Sequence, residues 1–465
     1  MTGWTRPGWA RMSELSDLIR LAVPIAVSRM SVMLMAVTDA IVLGQMAGHE
    51  LPYVLNAWLP IGVSLGFGMG ILLGVQVLTS EHLGRGEAAH TGRIFRRGFI
   101  WAVLLGVGLT GLVYLGVRPL FEYIFINFNN NASISDSLTP QEVVDNIVSV
   151  TRILSYGLLA FMLSTVCSLY LEALRRPVLV SIIMYVGVLV NLLIDLALVA
   201  GWWGMPQLGA EGVAWATTGS RITLTLGLLI LVAKLTPALQ PSPPGPADEP
   251  MRQLKVGFGT AISNVAEWGG FNFSYVIAAL ISLAANAIYG FTVQVMGICF
   301  MLFLGIASAS SVRVAERFGQ HDFGAVRDAC RLGVFATFAV GLPMSVLIWL
   351  FRDSIALVLV AETARIDGYI LAPAISALLI YAALATTFDG LQATASMALR
   401  AQEIVWLPTL IHAASFFAGL IPGAYFLGIT LERGAQGMME AVLISLLVAG
   451  FLQWALLEWK TTRQL

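Results

Sequence analysis

The sequence predicts an all-α integral membrane protein of about twelve transmembrane helices, arranged as two six-helix lobes related by a pseudo-two-fold axis along the membrane normal. Three observations carry this expectation. The 465 residues are 58% hydrophobic and 11% charged, whereas soluble domains are about 45–50% apolar and about 25% charged. Apolar runs long enough to cross a bilayer recur from one end of the chain to the other. The second half also repeats short blocks of the first half in the same order.

The runs fall at about 18–44, 54–80, 94–117, 148–173, 178–200 and 210–234, then at about 256–282, 286–311, 328–350, 368–397, 404–428 and 435–459. The first is the most informative. Residues 21–44, LAVPIAVSRMSVMLMAVTDAIVLG, reach across a bilayer at about 1.5 Å per residue. They nevertheless carry Asp39, and a carboxylate at the bilayer centre costs roughly 2.5–3.5 kcal/mol. Pro24 removes a backbone hydrogen bond that neighbouring helices must make good. A kinked helix with a buried acid calls for a surrounding bundle and a water-filled cavity, which is the signature of a transporter.

Between the sixth and seventh runs lies TPALQPSPPGPADEP, residues 236–250. Its prolines cannot continue a helix and make a semi-rigid spacer. The expected organisation is therefore a lobe over 1–235, a cytoplasmic linker over 236–252 and a second lobe over 253–465. With the N-terminus inside, 19 of the 26 cations fall on the inner side. Arg85, Arg93, Arg96, Arg97, Arg252 and Arg400 are among them. Only Arg118, Arg352, Arg365 and Arg433 fall in outer loops, while Arg29, Arg152 and Arg221 lie within helices. This bias predicts a multi-pass protein of the cytoplasmic membrane with both termini cytoplasmic. The longest outer loop, about 119–147, holds an Asn131-Ala-Ser133 sequon, a triplet common enough by chance to carry no weight.

The internal repeat is visible in three blocks. LGRGEAAHTGRIFRRGF at 83–99 parallels FGQHDFGAVRDACRLGV at 318–334, an offset of 235. Ala173-Leu174-Arg175 parallels Ala398-Leu399-Arg400, and Gly209-Ala210-Glu211-Gly212 parallels Gly434-Ala435-Gln436-Gly437, both at 225. Six helices per half give the two repeats the same orientation. Transporters built from such parallel repeats place the substrate site between the halves.

Several classes are excluded. A net charge of −1 gives no sign of a nucleic-acid partner. Cys167, Cys299 and Cys330 are odd in number and fall in or near membrane runs, so neither disulfides nor a metal cluster is expected. The polar N-terminus reads as no cleavable signal peptide. No GxxxxGK[ST] motif occurs, so direct ATP hydrolysis is unsupported. The five histidines are scattered, mostly at loops, so an intramembrane enzyme is not expected.

The order and spacing of many short motifs give the chain a family resemblance. These are Leu21-Ala22-Val23-Pro24-Ile25, Asp39 with Gly44, a Gly-rich second run from Gly62 to Gly74, Leu83-Gly84-Arg85-Gly86, Glu172-Ala173-Leu174-Arg175-Arg176-Pro177, Asn191 with Asp195, Gly209-Ala210-Glu211-Gly212, Glu267-Trp268, and Phe388-Asp389-Gly390-Leu391-Gln392. Over almost its whole length the chain resembles a multidrug and toxic compound extrusion (MATE) transporter, with NorM-like and eukaryotic-like features in the second half. The resemblance implies that Asp39, Asn191, Asp195 and Thr218 take up a coupling proton or sodium ion. Asn191 and Asp195 are four residues apart, so one helix face presents both. It also implies that Glu267 and Asp389 serve cation coupling, possible sodium ligation included, or substrate binding.

Asn264 lies three residues before Glu267, and Gln392 three after Asp389, so each acid has a polar neighbour on its own face. Trp268 and Phe271 flank Glu267 as candidate lining of a substrate cavity. Where NorM-type members often place a tyrosine one turn before the acid of the tenth helix, this chain has Ala385 and departs from a strict NorM-like sodium site. At the repeat offset Asp389 faces Ser164 and Asp195 faces Leu420, so each half carries its own acids.

The expected function is secondary active export of organic, cationic or amphipathic compounds in exchange for H+ or Na+. No other cofactor is called for, and the expected partners are a small-molecule substrate, the coupling cation and the bilayer. A functional monomer is expected. Desolvation favours the neutral form of an acid, so a buried acid can take up a proton near neutral pH. Acids with no buried cation beside them would favour cationic aromatic substrates. The rival reading is a flippase for lipid-linked precursors, which would want several cations in its cavity; only Arg29 and Arg221 qualify by sequence.

Overall fold

The computed structural model describes residues 8–128, 139–366 and 368–463. Asn131 and Ser133 of the sequon, with residues 129–138 of the expected outer loop, lie outside the described residues, as does Arg6. The described residues form twelve long helices: α1 (Gly8–Ala47), α2 (Leu51–Gly84), α3 (Thr91–Glu122), α4 (Pro140–Ala173), α5 (Pro177–Leu198), α6 (Gly209–Leu235), α7 (Glu249–Ile281), α8 (Leu283–Gly319), α9 (Phe323–Leu359), α10 (Leu371–Arg400), α11 (Trp406–Thr430) and α12 (Gly434–Arg463). Among the described residues, eleven are long and apolar enough to cross a membrane. The twelfth, α7, has 33 residues, but Asn264, Glu267 and Asn272 dilute its apolar run.

Helix starts follow local chemistry. Thr139 and Glu142 close a capping box on α4, with Pro140 in the first turn. Ser282, extended at φ −171°, breaks α7 from α8 and caps the latter through the Ala285 N–H at 3.0 Å. Asp322 caps α9 through the Ala325 N–H at 2.9 Å. α11 is not uniform: Ala414–Leu420 and Phe426–Thr430 are wound as wider π-turns. The expected outer loop at 119–147 is shorter than the sequence suggested, because α3 and a π-turn over Tyr123–Phe128 extend its first flank and α4 begins at Pro140.

The repeat is written into the backbone. Gly86 (φ 78°) and His321 (φ 57°), 235 residues apart, both take left-handed conformation, as do Gly209 (φ 53°) and Gly434 (φ 59°), 225 apart. α3 packs on α4 and α4 on α6; correspondingly, α9 packs on α10 and α10 on α12. A reciprocal contact joins α2 to α8. A Cβ on Gly84 would strike the Glu316 carbonyl, and one on Gly319 would strike that of Glu81. Those pairs exchange under the 235 offset.

By contacts the chain divides into two compact units. One comprises Met1–Met30, Ser80–Glu87 and Met251–Leu465; the other comprises Ser31–Thr79 and Ala88–Pro250. The division departs from the expected lobes of 1–235 and 253–465 at the starts of α1 and the end of α2. Burial explains both. Leu18, Leu21, Ala22 and Ile25 of α1 share a core with Phe303, Ile306, Ala309 and Val312 of α8. Gly305 lets the two helices close until its own Cα faces Ala22 and Ala26. The end of α2 is held by the Gly84–Gly319 crossing. The first unit's larger core gathers Ile277, Tyr289, Met296, Ile375, Leu379, Phe416, Leu420 and Val442 from α7, α8, α10, α11 and α12.

The linker is docked, not a free spacer. Arg96 donates to the carbonyls of Ala238 (2.9 Å) and Gln240 (2.7 Å), and Arg93 to that of Pro243 (2.8 Å). Fully buried Glu249, at the head of α7, accepts from Arg93 at 2.8 and 2.9 Å and from Arg97 at 3.1 Å.

Candidate functional site

The second unit brings Asp39, Asn191 and Asp195 together, all buried. α1 supplies Asp39, and one face of α5 supplies the other two. The Thr217 hydroxyl donates to Asp39 Oδ2 at 3.1 Å, and Asn191 and Asp195 flank the same carboxylate. Among the described residues, Asp39 Oδ1, both carboxylate oxygens of Asp195 and both amide atoms of Asn191 have no hydrogen-bond partner, although they are buried. Two facing carboxylates with so few donors make it unfavourable to ionise both at once.

Thr218 is not the hydroxyl at this cluster. Its Oγ1 donates to the Ile153 carbonyl on α4 at 3.1 Å, and Thr217, one residue earlier, faces the acid. Adjacent helical positions differ in direction by about 100°, so the sequence could not choose between them without knowing where α4 lies. Arg221, one turn further along α6, is buried between the rings of Trp58 and Phe161, each 5.5 Å from its guanidinium carbon, and within electrostatic reach of Asp39. Arg29 is half-buried on α1.

The first unit assembles the second cluster. Asp389 on α10 accepts from Gln392 Nε2 at 3.2 Å; Gln392 is also within reach of Glu267 on α7, and the two acids interact electrostatically. Asn264 lies half-buried one turn before Glu267. Ala385 is fully buried, and no side-chain oxygen occupies that position. Phe271 packs on Phe416 with ring centres 5.8 Å apart, whereas Trp268 turns to another face and is 38% exposed. Helical direction separates the two: Trp268 is next to Glu267 in the chain, Phe271 one turn away.

Two members of this cluster escape sequence reading. Arg400 stands at the position that Arg175 occupies in the first half, and the charge bias along the sequence places it with the inner-side cations. It is instead the last residue of α10, 3% exposed, donating to Ser263 at 2.6 Å and interacting electrostatically with Glu267. Its repeat partner Arg175 has left-handed backbone in a turn. His412 lies buried in α11 with Nε2 3.7 Å from Glu267 and Nδ1 2.8 Å from Gln453. The expectation of acids with no buried cation beside them is thus corrected in both halves. A helical wheel centred on Glu267 cannot reveal these neighbours, because they come from α10, α11 and α12.

The MatE family pattern matches residues 24–197 and again 260–426, once in each half of the chain. The chain belongs to the MatE family of transporters. Among relatives, the probable multidrug resistance protein NorM of Caulobacter vibrioides is 33% identical over 464 residues, covering 98% of this chain and 94% of its own. The multidrug resistance protein PmpM of Pseudomonas aeruginosa is 25% identical, covering 93% and 89%. Two solved structures share the fold. An outward-facing multidrug resistance MATE transporter superposes with a TM-score of 0.85 at 15% identity, covering 97% of this chain and 96% of that one. The eukaryotic MATE transporter AtDTX14 gives 0.80 at 14%, covering 98% and 99%. This MatE protein is therefore a multi-pass membrane transporter of the multidrug-efflux kind rather than an enzyme, working on small molecules in a lipid bilayer.

Proposed function

We propose that this MatE protein is a secondary active antiporter of the cytoplasmic membrane, with both termini inside, in which H+ or Na+ entering down its gradient drives export of organic, cationic or amphipathic compounds. The observation that carries the reading is the Asp39–Asn191–Asp195 cluster, with five buried polar atoms that find no hydrogen-bond partner. Such a site is unfavourable empty and favourable with one small cation or proton in it. Glu267, Asp389 and Gln392 form the corresponding acidic site of the other half, which we assign to cation coupling and to the positive end of the substrate, with Asn264 and Phe271 near it.

Coupling follows from charge. A buried carboxylate cannot stay ionised without a partner, so cation and substrate compete for the same limited negative charge. Each half holds two acids against one buried arginine, which keeps a net demand for positive charge and disfavours an anionic, lipid-linked substrate. The deciding experiment is dye efflux from vesicles holding the purified chain, under an imposed pH gradient and, separately, an imposed sodium gradient. Acceleration by one of them is expected. Efflux indifferent to both would sink the antiport reading.

A further inference from the structure

The acids of each half share their site with one arginine that nothing pairs off. Arg221 is 6% exposed and Arg400 3% exposed. Among the described residues no carboxylate forms a salt bridge with either, and Arg221 Nη1 and Arg400 Nε lack any hydrogen-bond partner. Arginine does not shed its proton in a protein. Burying such a charge without a direct counter-ion is costly, so its position calls for an account.

The surroundings supply one. Arg221 is held by the faces of Trp58 from α2 and Phe161 from α4, a cation–π clamp that leaves its field unspent. The charged groups facing it are Asp39 from α1 and, beside Asp39, Asp195 from α5. Arg400 is anchored by Ser263, one turn before Glu267 on α7, and faces Glu267 and, from α11, His412; Asp389 in turn interacts with Glu267. With all acids ionised, each half therefore sums to one negative charge, not two. One monovalent cation or one proton balances it.

We propose that Arg221 and Arg400 are resident counter-cations: each occupies the place of a second coupling ion, fixes the demand of its half at one exchangeable positive charge, and weakens the hold on that charge enough for release. Both act as positioning residues through their field. The inference rests on the antiport reading above and deepens it. Arg221 corresponds to Leu446 in the repeat, whereas Arg400 aligns with Arg175, which lies in a turn.

The test is the cation dependence of Arg221→Gln. Removing a nearby fixed positive charge should tighten binding of the coupling ion, so its half-saturating concentration should fall by about tenfold or more. Maximal efflux should fall as well, because release slows. Arg221→Lys, which keeps the charge, should return the midpoint toward wild type. A purely structural role predicts the opposite: weaker cation binding, with no rescue specific to charge. Titrating the purified protein with the cation, followed by tryptophan fluorescence, gives a midpoint even for a variant that binds but does not cycle. Arg400→Gln makes the same measurement in the other half, and decides the matter should Arg221→Gln fail to insert. An unchanged or raised half-saturating concentration in inserted Arg221→Gln overturns the proposal while wild-type coupling stands. Wild-type efflux indifferent to both gradients removes the antiport reading, and the proposal with it.

Discussion

At the residue scale, the acids differ from other polar residues in this bundle by what is missing around them. Elsewhere buried hydroxyls donate to a carbonyl one turn back, as Ser263 does to Gly259 at 3.1 Å and Thr386 to Ala382 at 2.6 Å. Among the described residues no amide or hydroxyl donates to Asp195, whose neighbour is the Asp39 carboxyl. Substituting Asp39 by Asn keeps the shape and the Thr217 contact but removes the charge. Insertion should survive, and gradient-driven export by Asp39→Asn should fall at least about tenfold, equivalent to about 1.4 kcal/mol, as read by dye efflux at matched protein level. Glu267→Gln and Asp389→Asn should each impair efflux of cationic dyes to a similar degree. Normal transport by both would move the whole site to the Asp39 cluster.

Elements meet in this fold through glycine where the backbones come closest. At the α2–α8 crossing, the Gly84 and Gly319 positions face the carbonyls of Glu316 and Glu81, so neither admits a methyl group without moving a helix backbone. Gly319→Ala should destabilise the purified protein by about 1–3 kcal/mol, the usual cost of overpacking. Gly111→Ala on α3, where a Cβ meets nothing within 4 Å, serves as the control and should leave the melting temperature in place. Equal melting temperatures for the two variants would mean that the crossing yields more easily than its geometry implies.

On the scale of the whole molecule, the junction of the sequence halves is a segment gripped by its main chain. Arg93 and Arg96 bind carbonyl oxygens of Ala238, Gln240 and Pro243, which any residue offers. Replacing 241–246 by Gly and Ser at equal length should therefore preserve expression and efflux, provided Gly245 is kept, since a Cβ there would meet the Arg93 guanidinium. Glu249→Gln is a different matter. It leaves Arg93 and Arg97 without their buried carboxylate, a loss of about 3–5 kcal/mol where such a pair is broken, visible as a lower melting temperature. Loss of efflux in the Gly/Ser variant, with insertion intact, would instead make the side chains of this segment part of gating.

Composition and periodicity alone determined that this chain is a helical membrane protein of two repeated halves, because the bilayer imposes span length and apolarity on each segment independently of its neighbours. The repeat was legible for a similar reason: Gly86 and Gly209 sit where the backbone turns left-handed, and their counterparts lie at fixed offsets. Family motifs carried the acids Asp39, Asp195, Glu267 and Asp389, since a charge in an apolar run stands out without any knowledge of packing. Only the tertiary structure decided which neighbours those acids have. That Thr217 rather than Thr218 faces Asp39, that Arg400 is buried beside Glu267, and that His412 and Gln453 close the same cluster depends on helix rotation and on which helices meet. Neither is encoded in the period of a single helix. The first turns of α1 joined the unit of α8 for the same reason: an apolar face reads identically whichever helix it is destined to bury against.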